Sequence, residues 1–162
     1  MNLPLVAPTW LAGLFVLLLV LASVEDSWRL RISNWTCLGL IAAAFAAAWL
    51  AGPRPSLWQN LLVFAALLGV GLPIFAAGKF GGGDVKLFAA AGLWFSLDGA
   101  WRFLMLTLLA GGLLAMIILA VRLVPWGAGA RDRVVVLRRR GGIPYGVAIA
   151  SGALLTAGLL PR

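Results

Sequence analysis

Six long apolar runs dominate this chain, at about 8–24, 35–50, 57–77, 85–97, 101–123 and 143–160. A helix rises ~1.5 Å per residue and needs about 20 residues to cross a ~30 Å hydrocarbon core. Most of the runs reach or approach that length. The fourth falls short, so its helix is expected to start inside the membrane or at a thinned edge. The runs are continuous rather than alternating, which argues against a β-barrel. Charged residues make up 11% of the chain and hydrophobic ones 63%, and the mean hydropathy is +1.04. A soluble domain carries roughly 25% charged residues. The pattern predicts an all-α polytopic membrane protein, a bundle of about six transmembrane helices forming one domain over residues 1–162.

The first ten residues contain no Lys or Arg, so the basic start of a cleaved signal peptide is missing. Leu11 to Val24 reads as a retained helix. Trp10, Trp35, Trp49, Trp58, Trp94 and Trp101 fall near run ends, and Trp28 and Trp126 fall in loops, as expected of indoles at the membrane interface. Pro73, inside the third run, is expected to kink it. The loops after the first, third and fifth runs hold ten basic residues, from Arg29 and Arg31 through Lys79 and Lys86 to Arg122 and the 131–140 stretch. The opposite side holds Arg54, Arg102 and Arg162. The positive-inside rule then makes the first, third and fifth loops cytoplasmic and both termini periplasmic. "RDRVVVLRRRGG", from Arg131, is expected to lie on anionic lipid, each basic residue contributing about 1 kcal/mol. The same rule accounts for the net charge of +8 without nucleic-acid binding.

One cysteine, Cys37, and no histidine exclude an intrachain disulfide, a Cys-based zinc site and His-dependent catalysis. The five acids are Glu25, Asp26, Asp84, Asp98 and Asp132. Asp98 falls on the outer side, and Asp132 is balanced by Arg131 and Arg133. Glu25, Asp26 and Asp84 fall at the inner membrane edge, where an acid is costly unless paired or hydrated. Two close carboxylates share a proton. One can then deprotonate an attacking water while the other protonates a carbonyl oxygen, which is aspartyl protease chemistry. Asp26 closes the first run, where its charge opposes the helix dipole. Asp84 opens the fourth, where helix capping alone also explains it.

"GGGD", Gly81 to Asp84, fits the GxGD motif of membrane aspartyl proteases, and "GGGDVKLFAAAGLWFS" resembles the second catalytic region of the type IV prepilin peptidase family. "DSWRLRISN", Asp26 to Asn34, is similar to that family's first catalytic region. Ser33 stands where the family usually has Pro, a departure expected to loosen the turn while leaving Asp26 and Asn34 in place. "GIPYGVAIASGALL", from Gly142, resembles the closing segment of the short branch that serves Flp-type, tight-adherence pili. The resemblance covers nearly the whole chain. It implies that Asp26 and Asp84 are the catalytic pair, and that the short basic leader of prepilins, with pseudopilins as further candidates, is cut at the cytoplasmic face of the bacterial inner membrane. The cysteines and the extra domain of the long, methylating branch are lacking, so the resemblance implies a peptidase alone, without metal or cofactor.

Gly81, Gly82 and Gly83 permit positive φ and close approach of a substrate backbone; a tight turn explains them as well. Lys86, two residues from Asp84, points to a different helix face and is expected to snorkel toward head groups. The resemblance adds Asn34, Pro144 and Tyr145 as site-shaping residues. Two other classes remain: an ion or proton transporter, which would place acids at mid-membrane on several helices, and a non-catalytic membrane subunit of a pilus or secretion assembly. The sequence specifies no oligomeric state.

Overall fold

The computed structural model describes residues 1–123 and 142–159. Among these residues every regular element is a helix. A single turn, α1 (Leu3–Val6), precedes α2 (Thr9–Arg29), α3 (Asn34–Leu50), α4 (Leu57–Ala76), α5 (Gly82–Gly92), α6 (Leu97–Leu123) and α7 (Tyr145–Leu159). The six longer helices coincide with the six apolar runs. With 21, 20 and 27 residues, α2, α4 and α6 are long and apolar enough to cross a membrane, while α3 and α7 are shorter apolar helices. The 11 residues of α5 rise only about 16 Å, short of a ~30 Å hydrocarbon core. The 131–140 stretch, Trp126, Asp132 and Arg162 lie outside the described residues.

Helix ends follow local chemistry. Leu30 takes a left-handed conformation, φ 49°, and closes α2 with its N–H on the Asp26 carbonyl. The Ser33 side chain caps α3 by accepting from the Trp35 N–H at 3.2 Å, which satisfies one of the free donors of a helix start. Pro73 lies in the last turn of α4, so it marks the end of the helix more than it divides it. Helix α5 is shifted from its apolar run at both ends, and two further boundaries differ. Helix α2 continues to Arg29, which places Asp26 inside a helix rather than at its end. Helix α6 begins at Leu97, bringing Asp98 into its first turn, where it faces Arg102 at 3.5 Å on an exposed surface.

Helix α7 packs most extensively on α6 and also meets α2 and α5, while α5 is shared by α3 and α4. The core centres on an aromatic chain. Phe15 of α2 lies 4.4 Å from Trp94, Phe95 lies 5.3 Å from Phe103, and Phe103 lies 4.9 Å from Phe88. Trp94 is therefore not an interfacial indole: it is fully buried. Its N–H donates to the Leu40 carbonyl at 3.1 Å, the partner that a buried indole requires. Trp10, Trp28, Trp35, Trp49, Trp58 and Trp101 are exposed, as expected.

Polar contacts sort the two ends of the bundle. At one end Asn60 is buried and donates to the carbonyls of Met1 and Leu93, while Asn2 accepts from Ser96. At the other end the α2–α3 link meets the starts of α5 and α7: Ile32 abuts Gly83, and Leu30 abuts Gly142. The end of α6 joins them through Arg122, which donates to the Gly142 carbonyl at 3.2 Å.

The tightest helix crossing rests on Gly152 of α7. A Cβ there would lie 2.7 Å from the Thr107 backbone nitrogen and 2.8 Å from its Cα. Backbone atoms of α6 cannot yield as a side chain does, so the two helices would have to separate. Overpacking of this kind costs about 1–3 kcal/mol. Gly152→Ala is expected to lower the melting temperature in detergent by roughly 2–10 °C. Gly112→Ala on α6, where a Cβ meets nothing within 4 Å, should leave the melting temperature unchanged or slightly raised.

Candidate active site

Asp26 and Asp84 line one cavity of about 250 Å³, together with Leu30, Arg31, Ile32 and the three glycines Gly81 to Gly83. Two elements distant in sequence are thereby brought to the same space. Asp26 comes from the last turns of α2, where it is 4% exposed. Asp84 comes from the first turn of α5.

The surroundings of Asp26 are built by α7. The Gly146 N–H donates to Asp26 Oδ2 at 2.6 Å. Gly146 is the second residue of α7, so this donor is one that the helix itself leaves unpaired. Negative charge is favoured at such a terminus. The carboxylate that opposes the dipole of its own helix is thus placed at the start of another. The absence of a side chain helps the approach: a Cβ at 146 would lie 2.8 Å from Asp26 Oδ2 and 3.0 Å from Ile32 Cδ1, so both side chains would have to shift.

The positive φ that the glycines before Asp84 would permit is not used. Gly81 has φ −72°, and Gly82 and Gly83 are the first two residues of α5. Positive φ belongs instead to Gly78, at +70°. The strip is therefore not a left-handed turn but a helix start stripped of side chains so that neighbours can close on it. A Cβ on Gly83 would lie 3.2 Å from Ile32 Cβ and 3.3 Å from its nitrogen, and one on Gly82 would lie 3.1 Å from the Phe75 ring.

Asp84 lies ahead of the apolar run, and its carboxyl is raised to about 6. Burial is the main cause and the charge of Asp26 the second, with the Gly81 backbone N–H opposing both. The other expected site residues lie close by. Lys86 is exposed and donates to Asn34 Oδ1 at 3.0 Å, tying the start of α5 to the start of α3. It makes no ion pair with Asp84 among the described residues, but its ammonium is engaged by Asn34 rather than directed only at head groups. Pro144 is buried at the entry to α7. The Tyr145 ring packs edge-on against Phe80, centroids 5.2 Å apart, and fills the space left by Gly111. Among the described residues no three His, Cys, Asp or Glu side chains gather as a metal site would need.

The family model of type IV leader peptidases matches residues 13–120. The chain belongs to the type IV leader peptidase family. No curated protein and no solved structure matches it. Membership makes it a leader-peptidase-like protease with prepilin-type substrates. The matched stretch carries both aspartates, the glycine strip, Asn34 and Lys86, and stops short of α7. The leader peptidase cavity thus draws Gly146, the donor to Asp26, from beyond the matched residues. A glycine inside an apolar run carries no sequence signal of that role. Glu25, Leu30 and Ile32 were missed as well; only Glu25 gave a hint, as an acid at the membrane edge.

The raised Asp84 carboxyl has a consequence for stability. Its ordinary value is near 4, so the folded state holds the proton more tightly than the unfolded chain does. That contribution is fully present below about pH 4 and is lost as pH rises through about 6. At neutral pH the ionised Asp84 is therefore a cost, on the order of 2 kcal/mol after allowance for screening. Asp84→Asn is expected to melt several degrees above the wild type at pH 8, with the gap closing near pH 4. Thermal unfolding in detergent across that range reads it directly.

Proposed function

We propose that this leader peptidase is an aspartyl endopeptidase that uses Asp26 and Asp84 to remove the short basic leader of Flp-type prepilins at the cytoplasmic membrane face. The observation that carries the reading is the shared cavity, in which two carboxylates from different helices face the same ~250 Å³. The Gly146 N–H reaches Asp26, and burial with the charge of Asp26 raises Asp84 to about 6; two neighbouring carboxylates that share one proton supply one acid and one base.

In this mechanism Asp26 takes a proton from a water whose oxygen attacks the scissile carbonyl carbon. Asp84 gives its proton to the carbonyl oxygen, forming a tetrahedral diol. The diol collapses as Asp26 passes its proton to the leaving nitrogen, the C–N bond breaks, and Asp84 recovers a proton from a diol hydroxyl. No metal or cofactor takes part in these steps, and no methyl transfer is included. A proton-relay reading is less well supported, since Asp98 sits exposed beside Arg102 and the remaining described acids gather at one end of the bundle.

Asp26→Asn and Asp84→Asn should each reduce cleavage by at least about 100-fold, because the amide keeps the shape but cannot exchange the proton. Asp98→Asn should cleave as the wild type does. The assay is release of the leader from a model prepilin by purified protein in detergent. Near-normal cleavage by either aspartate variant, in folded protein, would remove that residue from the pair.

A further inference from the structure

The α2–α3 link carries a device that neither the aspartates nor the glycines account for. Glu25 Oε2 accepts from the Ser33 backbone N–H at 2.9 Å and from Thr36 Oγ1 at 3.2 Å. Ser33 caps α3 and Thr36 lies in its first turn, so the carboxylate holds the backbone N–H of the cap residue and a hydroxyl of the first turn, at the helix end that favours negative charge. Glu25 thereby fastens a closed loop whose pivot is Leu30, held at φ 49°. Positive φ is costly for a branched apolar residue, so something else must hold the loop shut. The residues inside that loop, Leu30, Arg31 and Ile32, form one wall of the cavity.

Ile32 is the piece that matters most. Its backbone abuts Gly83, next to Asp84, and its Cδ1 abuts Gly146, which holds Asp26. The position of Ile32 therefore sets how closely the starts of α5 and α7 approach each other. From this geometry we infer that Glu25 is a positioning residue for the cavity: by clamping Ser33 and Thr36 it holds Ile32 as the spacer between the Asp26 and Asp84 supports. The inference rests on the peptidase reading above, in that the spacing it fixes is that of the proposed acid and base.

The clamp uses an N–H that a proline lacks, and Ser33 itself has φ −65° and ψ 137°, values that proline adopts without strain. Proline and Glu25 are therefore alternative ways of stiffening the same loop. Glu25→Ala should free the loop, and a displacement of about 1 Å at the site costs on the order of 100-fold in rate. The loss should appear in kcat with KM little changed, and the melting temperature should stay close to that of the wild type. Ser33→Pro alone should cost less than Glu25→Ala. In the double variant the Glu25→Ala substitution should cost far less than it does alone, because no backbone N–H is left to clamp.

The experiment is the four-member cycle, assayed for kcat, KM and melting temperature on a model prepilin, with Asp84→Asn as the inactive control. Recovery of kcat in the double variant supports the positioning role. A Glu25→Ala kcat equal to the wild type overturns it and leaves the peptidase reading intact. So does a loss that tracks the folded fraction, or one that Ser33→Pro fails to relieve. A folded wild-type chain that cuts no prepilin overturns both.

Discussion

A polar group buried in a lipid-solvated bundle has no water to turn to, and leaving it unpaired costs several kcal/mol. That constraint organises this protein. The Asp26 carboxylate is met by the Gly146 N–H, Glu25 by Ser33 and Thr36, the Trp94 indole by the Leu40 carbonyl, and Asn60 by the carbonyls of Met1 and Leu93. Each of these bonds joins parts of the chain that packing alone would leave free to slide. Polar pairing therefore fixes the register of apolar helices that offer little other directionality. The exception among the described residues is Thr107 Oγ1, buried without a partner at the tight crossing of α6 over Gly152. Nothing in the structure explains why a hydroxyl is kept there.

Close approach of backbones is the second half of the same design. Small residues let helices meet without the hydrophobic drive that works in water. At Gly152 the result is packing alone. At Gly83 and Gly146 the same absence of a side chain also shapes the cavity, since Ile32 occupies the space that a Cβ would need. The substitutions that would stiffen these helix starts by their higher helix propensity are also those that would displace Ile32.

The fold was largely legible in the sequence because the apolar runs are long and the polar breaks between them sharp. The short fourth run corresponds to α5, the shortest of the six longer helices described. What the runs did not reveal were features decided by long-range contacts. Trp94 reads as an interface residue from its place near a run end, and only its hydrogen bond to Leu40, 54 residues away, explains its burial. Gly82 and Gly83 read as a flexible turn because glycine usually marks one, whereas their neighbours make them a helix start. For the site, Asp26 and Asp84 stood out through the cost of an acid at the membrane edge. Charge-derived topology placed both at one membrane edge, where they could approach each other, and the resemblance named them as a pair. Ser33, expected to loosen the loop by replacing a proline, instead supplies the N–H that Glu25 holds.

The two aspartates meet from opposite ends of their helices. Asp26 lies late in a long helix whose own dipole opposes its charge, and the opposition is offset by the first free donors of α7. Asp84 lies in the first turn of its own helix, where the dipole favours its charge. Yet burial and the neighbouring carboxylate outweigh that help and raise it to about 6. At Asp84 the helix dipole is therefore the smaller effect. Each aspartate reaches one backbone N–H near a helix start, that of Gly146 for Asp26 and that of Gly81 for Asp84, so both depend on where α7 and α5 begin. The proposed mechanism asks for no third ionisable side chain, in keeping with a chain that has no histidine.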